Sequence, residues 1–290
     1  MSCGPSDQGK QSDNLRLYDY RDTKRLVRLL TDAAAVLADE GEEGFARFRR
    51  EPDRWTFGDA YLYAYDMTGK CVFHGGMPEL EGKQLMDVRD AEGRKSLLLA
   101  FDAVRDPDNP HGWVHYWWNL PNRLYPVWKS SCHTLVTLPD GKTVLLGCGM
   151  ANLPQERQFV KTIVDGAARQ LAAQGTAALK EISDPLSKYS LPGSSIFVIS
   201  AKGDTLLAPA FRFKGSRNIL DYQDDAGHAP LREAIQRLQA ASATWVVILA
   251  RNPQSMSLTK KGLYVRKVTR DNEILYVGAT SDLPKPSWMK

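Results

Sequence analysis

The sequence has no long apolar run. Its best candidates, around residues 33–38 and 245–250, fall far short of the roughly 18 residues that a membrane helix needs. Cysteine is scarce: Cys3, Cys71, Cys132 and Cys148, with no two in C-x-x-C spacing. That signals neither a zinc ribbon, nor a thiol redox motif, nor a disulfide scaffold, and without C-x-x-C-H covalent haem is disfavoured. Charge is not concentrated in one sign. The 38 Lys+Arg and 34 Asp+Glu leave a net charge of +4, and basic runs stop at two or three residues. A nucleic-acid binder would gather them into a patch or stripe.

Catalytic signatures are absent as well. There is no G-x-S-x-G, no Walker motif, no H-E-x-x-H and no G-x-G-x-x-G after a strand, so no catalytic residue and no cofactor are assigned. The histidines are His74, His111, His115, His133 and His228. His111 and His115 are four apart, about 13 Å on a strand, too far for one zinc, so no metal site is assigned. His115 and His133 read as cross-strand neighbours. What is present is ordinary: 290 residues, 43% apolar and 25% charged. That composition fits a soluble globular chain, and at roughly 150 residues per domain the length suggests about two domains.

The first residues, MSCGPSDQGKQSDN, are polar and small, without an apolar signal core. Residues 1–20 read as a flexible tether. Cys3, in the setting Ser2-Cys3-Gly4, resembles the head of a mature bacterial lipoprotein. That resemblance implies lipidation of Cys3 and anchorage outside the cytoplasm. The alternative is an ordinary N-terminus with an incidental cysteine.

Self-comparison carries more. Segments recur about 133 residues apart, in order. Leu26-Val27-Arg28 matches Phe159-Val160-Lys161, Asp32 matches Asp165, and Gly69 matches Gly203. The pattern D-x-x-D-x-x-G starts at Asp87 and again at Asp221. Trp113 matches Trp245, Lys129 matches Lys261, and Gly147 matches Gly278. The chain therefore reads as two copies of one unit, 21–151 and 152–283, with a tail at 284–290.

Each copy opens on an apolar stripe at helical spacing. Leu26, Leu29, Leu30, Ala33 and Leu37 form it first; Phe159, Ile163, Ala167 and Leu171 repeat it. These predict long helices over about 22–50 and 154–180, the second with Pro154 in its first turn. Two strands around an Asp/Gly turn follow, at 61–65 and 70–74, and again at 195–200 and 205–207. A short helix with Leu97, Leu98, Phe101 and Val104 comes next, then strands at 113–118, 128–138 and 143–148. The fold class is α+β, each unit a long helix with a mainly antiparallel sheet.

The order Tyr61-Leu62-Tyr63-Ala64-Tyr65-Asp66, Gly69, His74, Pro78–Gly82, Asp87, Asp90, Gly93, Gly112-Trp113, Tyr116, Trp118, Lys129 and Gly147-Cys148-Gly149-Met150 resembles a Cache domain. This is the PAS-like extracytoplasmic sensing module, and the single-Cache type 2 form is the nearest. The second copy resembles it more loosely, so the whole is similar to a tandem, double-Cache protein. The resemblance implies a small-acid ligand held by a fourth-strand Lys-x-x-Tyr. Copy one has Lys129 but Cys132 in the Tyr position; copy two has Lys261 and Tyr264. It also implies His-Pro after the second strand, where His74-Gly75 stands here.

Alternation on a strand sends Trp113, His115 and Trp117 one way and Val114, Tyr116 and Trp118 the other. Tyr116 and Trp118 either line a pocket or pack as core. Lys129 either meets a ligand carboxylate or is a solvated edge lysine. Asp87 and Asp90 either cap the following helix or touch ligand. The expected ligand-binding set is Trp113, Tyr116, Trp118, Lys129, His74 and Asp90, with Lys261 and Tyr264 in copy two. The expected function is an extracytoplasmic sensor of a small organic acid, signalling to an envelope partner, with pairing of two chains through the long helices left open. One alternative is a lipid-anchored docking protein with degenerate pockets. Another is a hydrolase or redox enzyme built on Cys132 and His133.

Overall fold

The computed structural model describes residues 15–120, 124–208, 218–251 and 257–283. Cys3, most of the tether and the 284–290 tail lie outside them. The chain divides into two units, Met1–Pro154 and Gln155–Lys290. Each is α+β.

Unit 1 runs α1 (Arg21–Glu40), α2 (Glu43–Arg50), α3 (Pro52–Trp55), β1 (Tyr61–Asp66), β2 (Cys71–His74), α4 (Ser96–Ala103), β3 (Val114–Trp118), β4 (Val127–Thr137) and β5 (Thr143–Ala151). Its antiparallel sheet has the order β2-β1-β5-β4-β3. Unit 2 runs α5 (Arg157–Gln174), α6 (Leu179–Ile182), β6 (Phe197–Ser200), β7 (Thr205–Leu207), α7 (Pro230–Arg237), β8 (Ala243–Arg251), β9 (Leu258–Arg270) and β10 (Glu273–Asp282). Its sheet order is β7-β6-β10-β9-β8, the same topology.

The long helices lie on one face of each sheet. Leu26, Leu30, Ala33 and Leu37 of α1 are almost wholly buried, and α1 packs on β4 and β5. Each such leucine contributes about 2 kcal/mol of apolar burial. Phe159, Ile163, Ala167 and Leu171 do the same for α5 on β9 and β10. Neither helix has its expected length. The one predicted over 22–50 breaks at Gly41 (φ 62°), whose N–H bonds to the Leu37 carbonyl. The one predicted over 154–180 ends at Gly175 (φ 61°), bonded to Leu171 in the same way. Positive φ is cheap for glycine and ends a helix. The two glycines are a further matched pair of the repeat. No described helix is long and apolar enough to cross a membrane.

The D-x-x-D-x-x-G segments are turns built on their second aspartate. Asp90 accepts the backbone N–H groups of Glu92 and Arg94, and also of Trp117 on β3. Asp224 accepts those of Ala226, His228 and Leu249. Neither caps a helix. The N-cap of α4 is Lys95, without a side-chain cap, and Asp87 pairs with Lys95 instead. The aspartates are spent on backbone donors that the turn would otherwise leave open.

Candidate functional site

The other face of the unit 1 sheet, under α4 and the loop after β2, holds a small, partly open cavity. The Tyr-x-Tyr-x-Tyr run of β1 puts Tyr61, Tyr63 and Tyr65 on this face. Tyr116 and Trp118 of β3 reach it, with Lys129 and His133 of β4, His74 at the end of β2, and Ser96, Leu97 and Ala100 of α4. Glycines in β5 make the room. A Cβ at Gly147 would lie 2.4 Å from the Tyr63 ring and 2.6 Å from His133. One at Gly149 would lie 1.9 Å from Ser131 Oγ.

Lys129 is fully buried. Its Nζ stands 3.7 Å from the Tyr61 ring centroid and 5.6 Å from that of Tyr63. Among the described residues no carboxylate lies within ion-pair distance of it. The ring faces offset part of the desolvation. Burial still pulls its pKa down to about 7, opposed by the charge of Asp59.

Hydrogen bonds fix the polarity of the neighbouring groups. His74 Nδ1 accepts the Met77 N–H at 2.8 Å, so a neutral His74 carries its proton on Nε2. Burial, then the Lys129 charge, hold its pKa at about 3. Trp118 Nε1–H donates to Tyr61 Oη at 3.0 Å, leaving the Tyr61 proton free to donate. On the other side His133 Nδ1 lies 2.8 Å from the Gly112 carbonyl, which can only accept. His133 Nε2 is therefore an acceptor, and Tyr63 Oη–H donates to it at 3.0 Å. Tyr116 Oη stands 2.9 Å from Ser131 Oγ and 3.4 Å from Tyr63 Oη. Burial, opposed by the Gly112 contact, brings the His133 pKa down to about 4.

A short chain ties the loop after β2 to this wall. Glu81 accepts the His74 backbone N–H at 3.0 Å and is held by Arg49 of α2 at 2.8 and 2.9 Å.

Four of the expected residues, His74, Tyr116, Trp118 and Lys129, thus surround one cavity. Four do not. Trp113 is buried with its Nε1–H on Tyr18 Oη, 2.7 Å away, and Asp90 is held in its turn. Tyr264 donates to Asp165 of α5 at 2.9 Å, on the helix side of its sheet. Lys261 pairs with Asp282 at 3.0 Å. The register explains why unit 2 differs. Tyr63 and His133 pair with Gly147, as Phe197 and Val265 pair with Gly278. Tyr116 faces Lys129 as Ile248 faces Lys261. Phe197, Ile248 and Val265 pack into an apolar core, so the polar groups of the unit 1 cavity have no counterparts at these positions.

Cys132 and His133 are adjacent on β4 and point to opposite faces. Cys132 Sγ lies 3.5 Å from Cys148 Sγ, and Cys148 Sγ meets the Leu26 carbonyl of α1. Burial pushes the Cys132 thiol well up. The pair cannot act as nucleophile and base. His115 pairs with Ser130, not His133. Sequence reasoning assigned no role to Tyr61, Tyr63, Tyr65, Ser96 or His133 in ligand binding. The period-2 tyrosines of β1 are the signal that marks three of them.

No curated protein sequence matches this chain. Among solved structures, a methyl-accepting chemotaxis protein from Vibrio parahaemolyticus is 20% identical, with a TM-score of 0.35, covering 50% of this chain and 95% of that one. A Cache chemosensory domain studied for carboxylic acid recognition is 18% identical, with a TM-score of 0.36, covering 51% and 100%. The ligand-binding domain of a Pseudomonas aeruginosa amino acid chemoreceptor in complex with L-Arg is 10% identical, with a TM-score of 0.26, covering 95% and 88%. Residues 33–152, which span most of unit 1 and every residue of the cavity, match the family model of Single Cache domain 2.

Proposed function

We propose that unit 1 is an extracytoplasmic sensor of a short carboxylic acid, bound in the cavity around Lys129. One observation carries this reading: a fully buried ammonium without a carboxylate partner among the described residues. A buried charge is costly unless paired, so a ligand carboxylate is its natural complement. His74 Nε2–H and the Tyr61 hydroxyl supply two further donors beside it. A charge-assisted hydrogen bond of this kind is worth roughly 1.5–3 kcal/mol. The aromatic walls also suit a quaternary ammonium, but Lys129 would repel it. The lining contains no Asp or Glu to meet the ammonium of an amino acid. The cavity is small, which points to a ligand of a few heavy atoms.

Occupancy would reach the outside through Glu81 and Arg49, which couple the His74 wall to α2. Binding would favour one setting of this loop and helix by population shift, and a signalling partner in the envelope would read it. The second reading, a docking or scaffolding role, is kept for unit 2, where Phe197, Ile248 and Val265 close the positions that form the cavity in unit 1. Lipid anchorage through Cys3 and pairing of two chains remain parts of this proposal.

Calorimetric titration of the full chain with acetate, propanoate and butanoate is the test. Saturable binding to the wild type, lost in Lys129→Met and kept in Lys261→Met, is expected. Binding kept in Lys129→Met, or absent throughout, overturns the reading.

A further inference from the structure

The hydrogen-bond polarity of the cavity names more than its anionic end. We infer that the ligand is a short 2-hydroxy acid, whose hydroxyl donates to the Tyr63–Tyr116 side of the cavity. The inference rests on the carboxylate reading above and adds the second functional group.

The direction of the chain starts at the backbone. The Gly112 carbonyl accepts from His133 Nδ1–H, so His133 Nε2 accepts from Tyr63. The pKa of about 4 leaves the imidazole neutral at ordinary pH. The Tyr63 proton is therefore committed to His133. The Tyr63 oxygen can only accept in the cavity, and its contact with the Tyr116 hydroxyl, at 3.4 Å, is weak. Tyr116 in turn shares its stronger bond with Ser131 at 2.9 Å.

A ligand hydroxyl completes this arrangement. It donates to Tyr63 Oη and accepts from Tyr116, while Ser131 donates to Tyr116. A 2-oxo group can only accept. It takes the Tyr116 proton and leaves the single Ser131 proton to serve both the Tyr63 and the Tyr116 oxygens, one of which stays unmatched. An unsubstituted acid leaves the weak 3.4 Å contact as it stands. An unmatched buried polar atom is what gives such sites their discrimination. A 2-ammonio group would also donate, but it brings a second cation beside Lys129 without an acidic residue in the lining.

The test is titration calorimetry on the full chain at pH 6.5 with propanoate, 2-hydroxypropanoate and 2-oxopropanoate. The 2-hydroxy acid should bind at least fivefold more tightly than the 2-oxo acid. In Tyr63→Phe/Tyr116→Phe, which keeps both rings, that ratio should fall to within twofold. Equal or tighter binding of the 2-oxo acid overturns this inference and leaves the carboxylate reading standing. No binding of any of the three overturns both. Nitrogen-15 spectra of the histidines in the wild-type chain supply a second readout that does not depend on the double variant folding. They should show His133 protonated at Nδ1 and bare at Nε2; the reverse tautomer removes the acceptor and sinks the proposal.

Discussion

Lys129 is the residue at which burial and charge oppose each other most strongly in this chain. Its pKa of about 7 means that roughly half of the unliganded molecules carry the ammonium at neutral pH. A bound carboxylate favours the charged form and raises that pKa. Above pH 7 the complex therefore holds more protons than the free protein, and binding takes up a proton. Affinity should be flat below about pH 6.5 and fall towards tenfold per pH unit above 7. Calorimetry in two buffers of different ionisation enthalpy measures the uptake directly. His74 and His133, with values of about 3 and 4, stay neutral through this range and contribute nothing to the slope. That Lys129, Tyr116, Trp118 and His74 would come together was legible in the sequence, because strand alternation and the family pattern agree on them; the structure places all four around one cavity. The sequence grouped Asp90, Trp113, Lys261 and Tyr264 with them, but these lie off the unit 1 cavity with partners of their own: turn N–H groups, Tyr18, Asp282 and Asp165. Tyr18 and Asp165 come from distant parts of the chain, and spacing alone does not reveal them.

At the scale of elements, the repeat was the strongest signal and the helix ends the weakest. The stripes at 26–37 and 159–171 marked α1 and α5, but helical periodicity does not stop at a glycine; positive φ does, at Gly41 and Gly175. The paired turns on Asp90 and Asp224 show how the motif is used twice. Each carboxylate serves three backbone donors, one of them on the strand beyond the next helix. Asp90→Ala and Asp224→Ala should each destabilise their own unit by about 2–3 kcal/mol, the cost of unmatched donors to a charged acceptor. Asp90→Asn, which can still accept on one oxygen, should lose about half as much. Chemical denaturation followed unit by unit with hydrogen exchange measures these losses. Loss confined to ligand binding, with stability unchanged, would instead make Asp90 a ligand contact.

For the whole molecule, the two units should respond differently to acid. His74 and His115 have pKa values of about 3, and His111 and His133 about 4, because burial disfavours their charged forms. All four belong to unit 1. In the unfolded chain each titrates near 6.5. Their neutral burial is fully compatible with folding above about pH 6.5. As pH falls from there towards 4, the unfolded state takes up protons that the folded state refuses, and stability is lost. Each group contributes up to about 1.4 kcal/mol per pH unit in that window. Unit 2 has only His228, which is mostly exposed. On acidification, hydrogen exchange should therefore rise in residues 21–151 at a higher pH than in 155–283. Simultaneous opening of both units would show that the histidines do not set acid stability.

The α+β class, with its antiparallel sheets, was readable because hydrophobic period and glycine turns repeat over the full length. The difference between the units was not, since Tyr63 and Phe197, or His133 and Val265, look alike until the strand register aligns them. That difference makes unit 1 the proposed sensor. The most direct measurement is a crystal of the full chain grown with a short 2-bromo acid, with the bromine located by anomalous scattering. The account predicts one peak, in the unit 1 cavity beside Tyr116, with the carboxylate on Lys129. A peak in unit 2 alone, or none at saturating acid, would contradict it.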